Sequence, residues 1–495
     1  MTEHREYNSM KFIIKLFPEI TIKTPPVRKR FIKQLRKNIR TVLKRVDENV
    51  EVAGSWDFIE LATSHDDPQL VAQVSDLLSH IPGIAYWQQV VEYPLTDMDD
   101  ILEKALVVNR ELLAGKTFRV TCQRSGKHDF QSIDVERYVG GGLNTRTDAA
   151  GVKLKNPDVV VKVEIKGERY FLVTQRGSGL GGYPLGSMEP VLSLISGGFD
   201  STVSSFLTMK RGIRTHFCFF NLGGHAHELA VKEVAYYLWS RFGSSHNVNF
   251  VTVPFEGVVE EILTKVDNSQ MGVILKRMML RAATQVAKEM YIEAVVTGEA
   301  VAQVSSQTLT NLAVIDSATD HLVLRPLIAM DKQDIIDISI KIGTEEFVKN
   351  IPEYCAVISR NPTTRAKPEK IESEEARFDF SVLESAIESR RKVSVTDIIA
   401  DDLTREEVEV VETTKQDDIV IDIRHPEEEE INPFSLPDRE VLTIPFYQLR
   451  AKFTELDKEK HYLLYCEKGV MSQLHAMHLR DEGHENVGVY NPGKK

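Results

Sequence analysis

Two short stretches hold the residues best suited to chemistry. In "VLSLISGGFDS", an apolar strand runs into a glycine turn that opens a helix. Backbone N–H groups at a helix N-terminus carry partial positive charge and favour anions. Gly197 and Gly198 let the backbone approach a phosphate closely, and Ser196 and Ser201 add hydroxyl donors. Asp200 would repel a phosphate unless it holds Mg²⁺ or orients the reacting group. The turn lacks the Walker lysine and its neighbouring hydroxyl, and it is not G-x-G-x-x-G, which argues against a dinucleotide. In "HYLLYCEKGVMSQLHAMHL", Cys466 ends a strand and begins a turn into a helix. A thiolate or persulfide there faces backbone N–H groups, which lowers its pKa. A lone cysteine after an apolar strand is otherwise a core residue; the interior Gly469 favours the loop reading.

Further stretches fit a phosphate-handling edge. "TGEAVAQVSSQTLTNL" follows the strand "IEAVV" and brings Gly298 and Gln307 to a strand end. "LRPLIAMDKQDII" puts Lys332 just after another candidate strand, where it can meet charge developing in a transition state. Lys276 and Arg281 share a helix, where an exposed charged face is the plain alternative. The other cysteines are Cys122, Cys218 and Cys355. No pair has metal-site or disulfide-framework spacing, so no structural metal is expected. Cys122 and Cys218 lie in strand-like segments and read as core.

These residues need scaffolds. Residues 10–66 read as strand, basic helix, strand, an α+β unit with Phe31, Leu35, Ile39, Val42 and Leu43 on one helix face. Residues 70–176 form a second α+β unit in which "SIDVERYVGGGLNTRT" reads as a helix ending at its glycines. From 189 to 365 strands and helices alternate, the pattern of a parallel sheet. An acidic linker precedes a last small α/β unit. The expected domains are 1–71, 72–176, 177–390, a linker at 391–414, and 415–495.

The net charge of −12 is polarised. No Asp or Glu occurs from Ile20 to Val46, while Arg28, Lys29, Arg30, Lys33, Arg36, Lys37, Arg40, Lys44 and Arg45 crowd that helix. Such a segment can bind a polyanion although the chain is acidic overall; a solvated basic face explains it equally well. No apolar run reaches a membrane span, and the charged start is not followed by a signal-type apolar region. Cytoplasmic residence is the expectation.

"SGGFDS" resembles the pyrophosphate loop of the ATP pyrophosphatases, enzymes that leave AMP on a substrate oxygen. The whole chain resembles the tRNA uridine 4-sulfurtransferases (4-thiouridine synthetases) with a C-terminal rhodanese domain. "FRVTCQRSGKHDFQSIDVERYVGGGLN" looks like a THUMP domain, and "IDIRHPEEE" with "YCEKGVMS" looks like a rhodanese. A tyrosine-phosphatase loop fits less well, because Tyr465 stands where that loop has His and no Arg closes it. The resemblance implies an α/β multidomain chain: ferredoxin-like and THUMP domains, a parallel-sheet ATP pyrophosphatase domain, and an α/β rhodanese domain. It implies ATP and Mg²⁺ as cofactors, and ATP contacts at Leu194, Ile195, Ser196, Gly197, Gly198, Asp200, Ser201, Lys276, Gly298 and Gln307. Lys332 matches the lysine associated with adenylation. Uridine 8 of tRNA would be adenylated at O4, and sulfur would then displace AMP. The sulfur would come from a cysteine desulfurase through a Cys466 persulfide. By the same resemblance Cys355 and Cys466 form a disulfide as sulfur leaves, and a cellular reductant resets it. Met471 stands where many rhodaneses carry arginine, which favours delivered persulfide over thiosulfate. The family is also linked to a sulfur-carrier protein and thiamine thiazole synthesis. The alternatives are sulfur-carrier thiolation alone, or an RNA-binding protein without catalysis, which the intact Asp200 loop disfavours.

Overall fold

The computed structural model describes residues 9–492, apart from 55, 223, 350, 352–360, 399–407, 425, 438, 440 and 468. The chain divides into two compact units, up to residue 184 and from 185 onward. Among the described residues no helix is long and apolar enough to cross a membrane.

The first unit is built on one sheet of eight strands. In chain order these are β1 Lys11–Leu16, β2 Glu51–Gly54, β3 Phe58–Ala62, β4 Ile84–Pro94, β5 Thr117–Ser125, β6 Gly151–Val152, β7 Val159–Lys166 and β8 Arg169–Ser178. Their order across the sheet is β2-β3-β1-β4-β8-β7-β5-β6. The long strand β4 pairs with β1 on one side and β8 on the other, so two modules share one sheet. The helix Pro68–His80 lies across the expected boundary at 71/72. Its Leu70, Val74 and Leu78 join Phe12, Leu35 and Ile59 in one core.

Two local readings are corrected here. The helix Ser132–Arg146 does not stop at its glycines but runs through Gly140–Gly142. A Cβ on Gly142 would lie 2.3 Å from a Leu102 methyl, so glycine there serves close helix packing rather than termination. The basic helix Pro25–Leu43 also does not present all its cations outward. Arg28 is buried, donates to the Thr21 and Trp56 carbonyls and to Asp57, and stacks on Trp56. Arg36 and Arg40 donate to the Val52 carbonyl. Lys29, Arg30, Lys33, Lys37, Arg40, Lys44 and Arg45 remain exposed.

The second unit holds two sheets. The six-stranded one comprises β9 Met188–Leu194, β10 Ile213–Asn221, β11 Asn249–Pro254, β12 Ala294–Val296, β13 Leu322–Leu324 and β14 Arg391–Ser394, in the order β13-β12-β9-β10-β11-β14. All but β14 run parallel, and helices cover the strands. Burial on both faces explains why β10, "IRTHFCFFN", is almost continuously apolar. Strand β14 pairs antiparallel with β11, and its Arg391 bonds buried Glu228. The expected linker at 391 therefore begins as an edge strand of this sheet.

The five-stranded sheet comprises β15 Val410–Val411, β16 Asp418–Asp422, β17 Val441–Thr443, β18 His461–Tyr465 and β19 Val487–Tyr490, in the parallel order β15-β19-β18-β16-β17. Phe434 stacks on Tyr465 at 3.7 Å beside Tyr490, closing one side of its core.

Candidate active site

In the six-stranded sheet the chain winds outward from β9 in both directions, through β10 and β11 on one side and β12 and β13 on the other. That reversal makes a crevice at the carboxyl ends of β9 and β12, the place where open α/β sheets bind ligands. The turn Ser196–Gly198 leaves β9 there and feeds the helix Phe199–Lys210, with Gly198 at its N-cap. Leu194 ends the strand, and Ile195 continues it by donating to the Cys218 carbonyl at 2.9 Å. Gly197 has φ +84°, and a Cβ there would meet Ile351 at 2.8 Å. Ser201 ties the turn together: it accepts from the Ser196 N–H at 3.1 Å and donates to the Gly198 carbonyl at 3.2 Å. The structure thus spends the Ser201 hydroxyl on holding the loop's shape.

Asp200 is gripped from two sides. Lys332 donates to Oδ1 at 2.7 Å, and Gln303 donates to Oδ2 at 2.6 Å. Lys332 opens the helix Lys332–Lys341 after β13, and Gln303 lies in the loop after β12. Gly298 packs so tightly beneath the turn that a Cβ would lie 2.6 Å from the Asp200 carbonyl carbon. Gln307 is buried, and among the described residues its side-chain oxygen has no hydrogen-bond partner, which leaves it able to accept from a ligand.

Next to Gly298, Glu299 anchors a charged cluster. It accepts from Lys276 at 2.6 Å, Arg325 at 2.8 Å and Thr297 at 3.1 Å, and Arg325 also pairs with Asp316. Burial works to raise the Glu299 carboxyl, but Lys276 and then Arg325 outweigh it and hold it below the usual carboxylate range. Lys276 is therefore oriented by Glu299 rather than left as a loose surface lysine. Arg281 is not part of the cluster; it pairs with Glu375 and lies over Phe380. His227 contacts the Ser196 carbonyl at 3.2 Å through Nε2, and burial keeps its pKa below the ordinary histidine value despite that bond.

Sequence reasoning missed Gln303, Glu299, Arg325 and His227. Glu299 follows Gly298 in "TGEA" and was the most findable, since a carboxylate beside a phosphate site needs a cation. The other three gain meaning only from long-range contacts. Among the described residues no group of three or more side chains could hold a metal ion.

The second candidate centre is the loop after β18. Gly469, with φ +72°, caps the helix Val470–Asp481. The Ser472 N–H donates to Cys466 Sγ at 3.3 Å, and the Ser472 hydroxyl lies 3.4 Å from the same sulfur. The sulfur thus faces a helix N-terminus, which stabilises negative charge on it. Cys122 and Cys218 differ: burial pushes their thiols up to about 11 and about 12, leaving them inert. Just after β16, Arg424 forks onto Asp422 and lies over the ring of Tyr465, the residue before Cys466. Cys355 lies outside the described residues.

Comparison with known proteins gives one consistent answer. Four family models match in order: a ferredoxin-like domain of ThiI at 11–87, a THUMP domain at 96–175, the thiamine biosynthesis protein ThiI at 186–380, and a rhodanese-like domain at 407–495. A tRNA sulfurtransferase of Azotobacter vinelandii is 58% identical over 98% of this chain and 100% of its own length. One of Shewanella loihica is 56% identical with the same coverage. Among solved structures, a 4-thiouridine synthetase–RNA complex with bound ATP superposes with a TM-score of 0.69 at 27% identity, over 78% of this chain and 99% of that one. The chain belongs to the tRNA sulfurtransferase family.

Proposed function

We propose that this enzyme uses ATP to activate O4 of uridine 8 in tRNA and then replaces that oxygen with sulfur carried on Cys466. The observation that carries the reading is the convergence of the Ser196–Ser201 turn, Asp200, Lys332 and Gly298 at the β9/β12 crevice, in a unit that also bears the Cys466 loop. The turn's N–H groups would hold the ATP phosphates, with Leu194 and Ile195 at the strand end, and Lys276 and Gln307 would complete the nucleotide site. Uridine O4 attacks the α-phosphorus and pyrophosphate leaves. Lys332 stabilises the charge that builds there. The terminal sulfur of a Cys466 persulfide then attacks C4, and AMP departs with the oxygen. The Cys355 thiolate attacks Cys466 Sγ, releasing 4-thiouridine and leaving a Cys355–Cys466 disulfide. A dithiol reductant returns both thiols, which requires a reducing compartment and supports a cytoplasmic location.

Mg²⁺ fits the donor set in one way. Among the described residues Asp200 is the carboxylate at the mouth of the turn, and Mg²⁺ commonly takes one or two carboxylates with substrate phosphates and water. When bound it would neutralise phosphate charge.

The exposed cations of the Pro25–Leu43 helix and the segment "QRSGKH" at the end of β5 suit the phosphate backbone of folded RNA. The RNA-bound 4-thiouridine synthetase, similar at 27% identity, supports this partner. A cysteine desulfurase supplies the persulfide. The matching family model for a thiamine biosynthesis protein supports a second sulfur acceptor, the C-terminus of a sulfur-carrier protein.

The test combines protein, unmodified tRNA, ATP, Mg²⁺, a cysteine desulfurase and cysteine, and reads thiouridine. Folded protein that forms none would refute the proposal. Asp200→Ala should abolish adenylation and leave Cys466 persulfide formation intact; loss of both would mean the division of labour is wrong.

A further inference from the structure

The six- and five-stranded modules meet at two helix pairs, one of them the helix Glu345–Val348 against the helix Phe446–Phe453. In the other, the helix Gly224–Leu238 of the six-stranded module packs against the helix Val470–Asp481 of the five-stranded one. Each helix leads from one candidate centre. His227, near the start of the first, touches the Ser196 carbonyl of the nucleotide turn. The second begins directly after the Cys466 loop. Between them lies Glu233. It is buried, and its Oε1 is 3.4 Å from His475 Nδ1 and 3.7 Å from His478 Nδ1. Glu233 is six residues from His227, a rise of about 9 Å along the helix.

The charge arrangement is one-sided. A buried carboxylate needs countercharge. The groups that stabilise the Glu233 carboxylate, His475, His478 and Arg450, all come from the five-stranded module. Beside this pair, the Tyr237 and Phe446 rings lie 5.8 Å apart, and Arg241 reaches Glu428 at 3.9 Å.

We propose that Glu233, His475 and His478 form a docking latch, with Glu233 a positioning residue that seats the cysteine module for sulfur transfer into the nucleotide crevice. The latch rests on the reading that Cys466 delivers the sulfur. It sets the Glu233 carboxylate against the His478 cation, and against His475, which burial holds below the ordinary histidine pKa, across a boundary between two separately built sheets, so it can open and close without disturbing either core. His478 faces Glu233 across the boundary, His475 and Glu482 on its own helix, and, through Glu482, Arg450 on the helix Phe446–Phe453. Burial pulls the His478 pKa down, but Glu233 and Glu482 outweigh it and raise it to about 9. Its contribution is therefore complete below the ordinary histidine pKa and is lost as pH rises through about 9.

The test uses the full chain. Cys466 is loaded with persulfide by a desulfurase, the donor is removed, and tRNA with ATP and Mg²⁺ is added to read single-turnover thiouridine. A parallel reaction replaces the persulfide with sodium sulfide, which attacks the activated C4 directly and bypasses the cysteine module. Glu233→Gln should slow persulfide-driven transfer about ten-fold or more, leaving persulfide loading and sulfide-driven thiolation unchanged. The paired substitution His475→Gln with His478→Gln should do the same from the other side. In the unmodified protein the ratio of persulfide-driven to sulfide-driven rates should fall through about pH 9, and in Glu233→Gln it should be low throughout. Undiminished transfer in both variants would overturn the latch, as would an equal loss of sulfide-driven thiolation, which would assign Glu233 to folding of its own module. Cys466→Ala separates the two ideas: it must be inactive with the desulfurase, and full activity would overturn the sulfur-carrier reading together with the latch.

Discussion

The Ser196–Ser201 turn and the Cys466–Ser472 loop both follow the carboxyl end of a parallel strand and open a helix. They are held in different ways. In the cysteine loop a near neighbour serves the sulfur: Ser472, six residues on, supplies both an N–H and a hydroxyl beside it. The SGG turn depends on segments far away in sequence. Lys332 lies 132 residues from Asp200 and Gln303 lies 103 residues away. A thiolate needs only a local field to be stabilised. Activating an oxygen with ATP needs several charges placed around a developing transition state, and one short segment cannot supply them.

That contrast can be broken, beginning with the largest effects. Cys466→Ala and Asp200→Ala should each cost at least about a thousand-fold in desulfurase-driven thiolation, as for groups that act as a unit. They should fail at different steps, with pyrophosphate release surviving only in the cysteine variant. Pyrophosphate release that vanished in both would mean the two centres are not separate. Lys332→Ala should lower kcat about 10²–10³-fold while persulfide loading stays normal; a change confined to the KM for ATP would make Lys332 a binding group instead.

Glu299→Gln should weaken the site more gently in activity and more visibly in stability. Removing one partner from a buried charge cluster costs about 3–5 kcal/mol, readable by denaturant unfolding. Because the folded Glu299 carboxyl lies below its usual range, its stabilisation is present above the ordinary carboxylate pKa. It is lost as pH falls through the folded value, so Glu299→Gln should flatten the acid side of the stability profile. A variant with unchanged stability and acid sensitivity would show the cluster to be solvated. Smallest of all, Cys218→Ala should leave thiolation intact and reduce stability by about 1–2 kcal/mol, as for a modest core cavity. Lost activity there would place a second working sulfur in the molecule.

Much of the fold is legible in residue patterns because it depends on local periodicity. The alternation of strands and helices across β9–β13 follows from their apolar runs, and Gly198 and Gly469 mark two helix starts. Other features escaped for physical reasons. Gly140–Gly142 look like a stop, but Leu102 needs the space that Gly142 leaves. The short strand β14 has little pattern of its own and is fixed by β11 and Glu228. In the candidate site, Gly298 and Lys332 could be placed at strand ends, but Gln303 and Glu299 take their roles from contacts across the crevice.

The sequence by itself determined the local devices: a glycine turn able to face an anion, a cysteine on a helix N-terminus, and a segment of concentrated positive charge. Composition and short-range spacing set these because each depends on a handful of neighbouring backbone groups. The tertiary structure decided which charges act together. It turned Arg28 inward, bound Lys276 to Glu299, clamped Asp200 between Lys332 and Gln303, and set Glu233 against two histidines from another module. Coulomb interactions and desolvation depend on distances in space and on burial, and neither can be read along a chain.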